Sequence, residues 1–311
     1  MPPAIRLEEL TKDYAIGFWR KRPYRALDRI SLTIEPGEVF GFLGPNGAGK
    51  TTTLKLLMQL IFPTSGRAEI LGQPVGHVPT RQRIGFLPES PYFYDYLTAD
   101  EFLRFYGRLA GMDGMKLQER ITALLQQLGL AEARHRQLRK FSKGMLQRVG
   151  LAQALIHDPE LVIFDEPMSG LDPIGRRDVR DLMLNLRDQG KTVFFSTHII
   201  PDVETICDRV AVVVKGAVVA SGRVDELVGH GKTQSVEVVC EGIPKDRLVF
   251  EEIVPSKIVD QGAQCLLVLP DRGQVDEVLA KVRAMGGKLI SVTSHKGSLE
   301  ELFVRHVQLK V

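Results

Sequence analysis

The chain is poor in cysteine: three among 311 residues, Cys207, Cys240 and Cys265, far apart and without metal-ligand spacing. That excludes a disulfide framework and a zinc knuckle, and the three read as reduced core residues of a cytosolic protein. Long apolar runs are also missing. The longest, 161–164 and 210–214, fall far short of the roughly 20 residues a membrane span requires, so a membrane role needs a separate partner. No basic-then-apolar leader opens the sequence, and no signal peptide is expected. Excess charge of one sign is lacking too: the formal net charge is +3, which does not by itself mark a nucleic-acid protein.

What is present is the composition of a globular protein, 44% hydrophobic and 25% charged, at a length that suits one large domain and one small one. Alternation at 30–34, a Pro36-Gly37 turn and the apolar run 39–43 read as strands, followed by a glycine-rich loop. Helical spacing of Leu54, Leu57, Met58 and Ile61 predicts a helix over 51–61. From about 90 to 158 the texture is helical, with a capping box at Thr98-Ala99-Asp100-Glu101 and an amphipathic face at Ile121, Leu124, Leu125 and Leu128 closed by Gly129. Strands return at 161–164, 192–196 and 209–214, with a helix over 175–189 between them. Strand–helix alternation around a helical insert argues for a mostly parallel sheet with a helical subdomain. Beyond a linker at 228–233, strands at 235–240, 265–269 and 289–293 and a helix at 275–285 predict a small α+β domain over 234–311.

Gly44-Pro45-Asn46-Gly47-Ala48-Gly49-Lys50-Thr51 matches G-x-x-x-x-G-K-[ST] and lies between a buried strand and a helix. Glycines let successive N–H groups face a phosphate, and the helix start adds its positive dipole end. Lys50 is placed to reach the β- and γ-phosphates and the Thr51 hydroxyl to ligate Mg²⁺, with Thr52 next to it in the nucleotide-binding set. Leu161-Val162-Ile163-Phe164-Asp165-Glu166 is a buried strand delivering acids at its C-terminal edge. Asp165 is the candidate Mg²⁺ holder and Glu166 the candidate general base for an attacking water. Phe194-Phe195-Ser196-Thr197-His198 repeats the arrangement and would aim His198 at the same crevice, toward the γ-phosphate or the water.

In this order, these pieces resemble the ABC ATPase family over about residues 4–225. Phe141-Ser142-Lys143-Gly144-Met145-Leu146-Gln147-Arg148 is similar to its signature L-S-G-G-Q-x-Q-R, with Ser142 and Gly144 retained, Lys143 in place of the first glycine and Met145 in place of the glutamine. S-K-G-M variants are familiar in the drug- and antibiotic-export branch. Ser169-Gly170-Leu171-Asp172 resembles the family's D-loop, which adds Asp172 to the nucleotide-contacting set, and His198 matches its switch histidine. Tyr14 falls where the family stacks an aromatic ring on adenine, with Phe18, Trp19 and Tyr24 nearby. In Ile84-Gly85-Phe86-Leu87-Pro88-Glu89 the family usually ends on Gln, whose side-chain oxygen contacts Mg²⁺; Glu89 supplies a comparable oxygen and adds a charge.

The resemblance implies a P-loop NTPase cassette over 1–227, α/β with a mixed, mostly parallel sheet, binding ATP and Mg²⁺. It further implies that one chain's signature closes on the phosphate loop of another, so the working unit holds two cassettes, a homodimer being the simpler case. The expected function is the ATP-hydrolysing subunit of an export-type transporter, cytoplasmic and peripheral on the inner face of the cell membrane, energising a separate multi-span permease. Such a permease would dock near Glu89, where Tyr92, Phe93, Tyr94 and Tyr96 either line a groove or fill the helical core. Gly297-Ser298-Leu299-Glu300-Glu301-Leu302-Phe303 resembles the S-L-E-[DE]-x-F ending of exporter subunits. The alternative is an ABC-type ATPase acting on nucleic acid or ribosomes. Its support is the basic stretches Arg20-Lys21-Arg22 and 134–140. Tandem cassettes, coiled-coil insertions and zinc cysteines, usual in such proteins, are not seen, and no nucleic-acid partner is expected.

Overall fold

The computed structural model describes residues 2–17, 22–229, 235–243, 255, 257–260, 264–270, 272–295, 299–300 and 303. Phe18, Trp19, Arg20 and Lys21, most of the 228–233 linker, and Gly297, Ser298, Glu301 and Leu302 of the exporter-like ending lie outside them. Residues 1–223 and 224–311 form separate compact units.

In the first unit, β1 (Ile5–Ile16) pairs antiparallel with β2 (Arg22–Ile34). β3 (Val39–Leu43) leads into α1 (Lys50–Leu57). Then follow β4 (Ser65–Ile70), β5 (Gln73–Pro74), the single turn α2 (Val78–Arg81) and β6 (Ile84–Leu87). Three helices come next, α3 (Ala99–Leu109), α4 (Gly114–Gln127) and α5 (Lys143–Leu155). The unit continues with β7 (Leu161–Asp165), α6 (Pro173–Asp188), β8 (Thr192–Thr197), α7 (Ile200–Ile206), β9 (Arg209–Val214) and β10 (Ala217–Arg223). One sheet has the order β10-β9-β3-β8-β7-β6 and is parallel except for β9–β10; a second, antiparallel sheet has the order β2-β1-β4-β5.

The parallel strands read as unbroken apolar runs because both faces are covered. Phe40, Phe42, Leu161, Ile163 and Phe194 pack into a cluster with Leu54 of α1 and Ile5 and Leu27 of the antiparallel sheet. Val39, Val162, Phe164, Val193 and Phe195 point the other way, into a cluster with residues of α3–α6. Each fully buried phenylalanine contributes about 1.5–3 kcal/mol, so these two clusters fix the plane of the sheet. Parallel direction then brings the C-terminal ends of β3, β8, β7 and β6 to one edge in a row.

The capping box forms: Glu101 N–H donates to Thr98 Oγ1 (3.3 Å) and Thr98 N–H to Glu101 Oε2 (2.8 Å). α1 is shorter than its apolar spacing predicts. It ends at Leu57, Gln59 turns at φ 54°, and Ile61 reaches the core from the turn rather than from the helix. Pro63 disfavours helix at the residue before it, which limits how far the helix can run. The basic stretch 134–140 serves the fold: Arg134 Nε donates to buried Asp100 (2.8 Å), Arg139 Nε to Gln137 (3.0 Å), and Arg136 bonds the Lys140 carbonyl.

Past the end of α5, His157 Nε2 donates to the Ile84 carbonyl (3.0 Å), tying the helix to β6. Burial pushes its pKa below the ordinary 6.5, outweighing the upward pull of that bond and of Asp158, while Arg120 and Lys191 add to the lowering. A folded pKa below the unfolded one gives stability that is present above 6.5 and is lost as pH falls toward the folded value. Urea midpoints are therefore expected to fall below that pH, and His157→Gln, which keeps an N–H donor but does not titrate, is expected to flatten this part of the slope. An unchanged slope would remove His157 as its source.

In the second unit α8 (Val224–Gly229) comes first, then β11 (Ser235–Glu241), β12 (Lys257–Asp260), β13 (Gln264–Leu269), α9 (Val275–Ala284) and β14 (Lys288–His295). The sheet order is β12-β13-β11-β14, all antiparallel, and Val278 and Val282 of α9 join its core. Cys240 and Cys265, far apart in the sequence, are free and buried here, as expected of reduced core residues. Cys240 and Cys265 are direct register partners, with Cys240 Sγ donating to the Cys265 carbonyl at 3.7 Å.

Candidate functional site

At the end of β3 the chain curls into the 44–49 loop. Two glycines are required there by geometry. A Cβ on Gly44 would lie 2.5 Å from the Val213 carbonyl oxygen. Gly49 has φ +103°, and its Cβ would meet the Ala26 carbonyl at 2.7 Å. The loop closes around Lys50, whose buried Nζ donates to the carbonyls of Gly44 (2.8 Å) and Pro45 (3.3 Å).

Two strands away, β7 delivers Asp165 and Glu166. Asp165 is 2% exposed, and burial raises its carboxyl pKa from its ordinary value although hydrogen bonds from Ser196 and Thr51 pull the other way. Ser196 bridges the acids, its Oγ donating to Asp165 (2.6 Å) while accepting the Glu166 N–H (3.0 Å). Glu166 has φ 49°, a left-handed conformation unusual for a non-glycine residue and typical of positions where function holds the backbone. That turn sends its side chain between the Lys50 ammonium and the His198 ring. Oε1 lies 3.1 Å from Lys50 Nζ, charge-paired without hydrogen-bond alignment, and Oε2 lies 2.9 Å from His198 Nδ1.

A cavity of about 330 Å³ joins these groups, lined by Tyr14, Tyr24, Ala26, Asn46, Gly47, Gly49, Lys50, Thr51, Thr52, Glu89 and Glu166. Tyr14 and Tyr24 are register partners on β1 and β2, so two rings rather than one wall its outer end. Lys12 sits 5.2 Å from the Tyr14 ring centroid. Gly44, Pro45 and Ala48 form the loop itself, Asp165 lies beneath Thr51, and His198 enters through Glu166.

Ser142, Gly144 and Asp172, also expected at the site, do not line this cavity either. Ser142 is exposed and caps α5, its Oγ accepting the Met145 N–H at 3.3 Å. Gly144 lies in the first turn of α5, and Asp172 caps α6 through a 2.8 Å bond from the Gly175 N–H. Gln147 is buried and donates to the Pro167 carbonyl (2.8 Å), tying α5 to the turn after Glu166, while Arg148 reaches Asp178 of α6 (3.0 Å). The aromatic cluster divides: Phe93 packs on Phe102 (5.4 Å) and Tyr94 on Phe105 (5.7 Å), while Tyr92 and Tyr96 are 82% and 61% exposed.

The donor set suits Mg²⁺. Thr51, Asp165 and Glu89 offer hard oxygens on or beneath one cavity wall. Among the described residues no three acidic, histidine or cysteine side chains cluster as a metal cage.

A family model described as ABC transporter matches residues 27–169. The chain is 44% identical over 304 residues to an uncharacterized ABC transporter ATP-binding protein of Synechocystis sp., covering 96% of this chain and 83% of that protein. It is 37% identical over 311 residues to the bacitracin transport ATP-binding protein BcrA of Bacillus licheniformis, covering 98% and 97%. Among solved structures, the ATP-binding subunit of an ABC transporter aligns with TM-score 0.65 and 30% identity over 72% of this chain and 91% of its own. An ATP-binding cassette solved as a dimer in a post-hydrolysis state with ADP and Pi aligns with TM-score 0.65 and 26% identity over 70% and 98%.

Proposed function

The chain belongs to the ABC transporter ATP-binding protein family and is an ATPase; on that premise we propose that it works as two copies that energise export through a separate membrane permease. The observation that carries this reading is the division of the site. Phosphate loop, tyrosines, Glu89 and Glu166 line one cavity, whereas Ser142 and Gly144, at the start of α5, do not, a division that a second chain would complete. Residues 1–227 are assigned the ATPase role and 234–311 an accessory one.

In the closed pair, loop N–H groups and Lys50 bind the β- and γ-phosphates, Tyr14 and Tyr24 hold the base, and the partner's α5 N-terminus caps the γ-phosphate. Glu166 takes a proton from water as its oxygen bonds the γ-phosphorus and the β–γ bridging oxygen leaves with ADP. His198, already bonded to Glu166, fixes the direction of that carboxylate. Thr51, Asp165 and Glu89 would hold Mg²⁺, whose charge would offset that of the phosphates. Loss of the γ-phosphate removes the bridge between chains, and the pair reopens.

Export rather than import is supported by the S-K-G-M stretch and by similarity along 98% of the chain to a bacitracin transport protein. No helix among the described residues is long and apolar enough to cross a membrane, so the substrate path belongs to another chain. The permease's cytoplasmic helices are assigned not to the expected groove beside Glu89 but to one of about 380 Å³ between α2, β6, α3 and the end of α5, lined by Phe86, Tyr106, Leu109 and Ile156 and by none of Glu89, Tyr92, Phe93, Tyr94 or Tyr96. Tagged chain purified from detergent-solubilised membranes is expected to carry a multi-span protein encoded beside its gene, and reconstitution with it should change ATP turnover severalfold. Recovery with RNA or ribosomes, and turnover stimulated by RNA, would favour the nucleic-acid reading instead.

A further inference from the structure

Two charges at the edges of this divided site have no ion-pair or hydrogen-bond partner among the described residues. Glu89 is exposed on the wall of the phosphate cavity, and Lys143 is exposed as the first residue of α5, next to Ser142. Neither takes part in an ion pair or hydrogen bond among the described residues. Lys143 is also misplaced by local rules, since a cation at a helix N-terminus opposes the dipole. Its side chain folds back over Gly170, where any Cβ would strike the ammonium end, so the charge is held at the face that bears the signature and D-loop residues. Glu89 has the converse problem. It adds negative charge to a cavity that already holds Glu166, has Asp165 beneath it, and must accept a triphosphate.

We propose that Glu89 of one chain and Lys143 of the other form a charge pair across the closed dimer, which selects a second copy of this chain as the partner. This rests on the two-chain reading above. When the signature of one chain meets the phosphate cavity of the other, the negative unit at 89 and the positive unit at 143 come to the same site and offset each other. Two-fold symmetry repeats the pair at the second site. A cassette with glycine at the position of Lys143 would leave the negative unit that Glu89 adds beside Mg²⁺ and the phosphates without a facing cation, and that mismatch is what discriminates between partners. The two departures from the family pattern are thus one adaptation, divided between chains.

The test uses the full chain carrying Glu166→Gln, with dimer formation in ATP followed by analytical ultracentrifugation. Adding Glu89→Lys places like charges at both sites, as does adding Lys143→Glu. Each is expected to weaken the ATP-dependent dimer about tenfold or more. Mixing the two variant chains puts opposite charges at both sites of the mixed dimer, and dimer is expected to return to within about threefold of the starting protein. Single variants that dimerise normally, or a mixture no better than its components, would overturn the pair while leaving the two-chain reading intact. A Glu166→Gln chain that stays monomeric in ATP would overturn that reading and this inference with it.

Discussion

A Glu166→Gln chain is expected to bind ATP at least as well as the parent, to hydrolyse it about a hundredfold to ten-thousandfold more slowly, and to elute as a dimer when ATP is present. The side chain is 7% exposed and wedged between Lys50 and His198, so an amide of the same shape fits without repacking. It loses the one property the reaction requires, a basic oxygen able to take the water's proton. The amide no longer competes as a carboxylate for Lys50, which leaves the ammonium free to meet phosphate oxygens. Binding and hydrolysis therefore move in opposite directions, and the ATP-bound pair accumulates. Gel filtration with and without ATP, together with phosphate release, reads both effects. Unchanged turnover would remove Glu166 as the base, and slow turnover without a dimer would leave it as base but break the link to closure.

The groups at the heart of this site were legible because each is carried by a contiguous strand-then-loop segment. An apolar run ending in Asp165-Glu166 has one sensible position in a parallel sheet, and the glycines of 44–49 mark a curled loop. Those signals are local, and the strand order then places them side by side. What was not legible depends on register between distant segments. Ser196 looked like one polar residue ending a strand, yet its hydroxyl joins Asp165 to the Glu166 backbone because β7 and β8 pair Asp165 with Ser196. Tyr24 becomes a cavity wall only through its pairing with Tyr14. Gln147 was read within the signature, but its amide is turned inward to Pro167. Cys240 and Cys265 meet for the same reason that Ser196 and Asp165 do. The end of α1 was misjudged because Ile61 is apolar at helical spacing, and spacing alone does not distinguish a last helical turn from a turn that packs against the core. β12 has only four residues and leaves no periodic trace to count.

Lys50→Ala is expected to cut hydrolysis at least about a hundredfold and weaken ATP binding about tenfold or more, and also to lower the thermal stability of the chain. The first two follow from losing the cation that grips the phosphates. The third follows from what the ammonium does inside the protein. It is 6% exposed, holds the Gly44 and Pro45 carbonyls, and lies 3.1 Å from a carboxylate oxygen with no other partner. Removing one member of a buried ion pair leaves an uncompensated charge and costs up to about 3–5 kcal/mol, although His198 on the other oxygen reduces this. Adding Glu166→Gln to the same chain removes that charge. The double variant should regain much of the lost melting temperature and none of the hydrolysis, a non-additive result that isolates the Lys50–Glu166 interaction from the loss of loop contacts. A Lys50→Ala chain with parental turnover would contradict the phosphate-gripping role. If the double variant melted no higher than the single one, the ion pair would not be what stabilises the loop, and the carbonyl bonds of Gly44 and Pro45 would carry the whole effect.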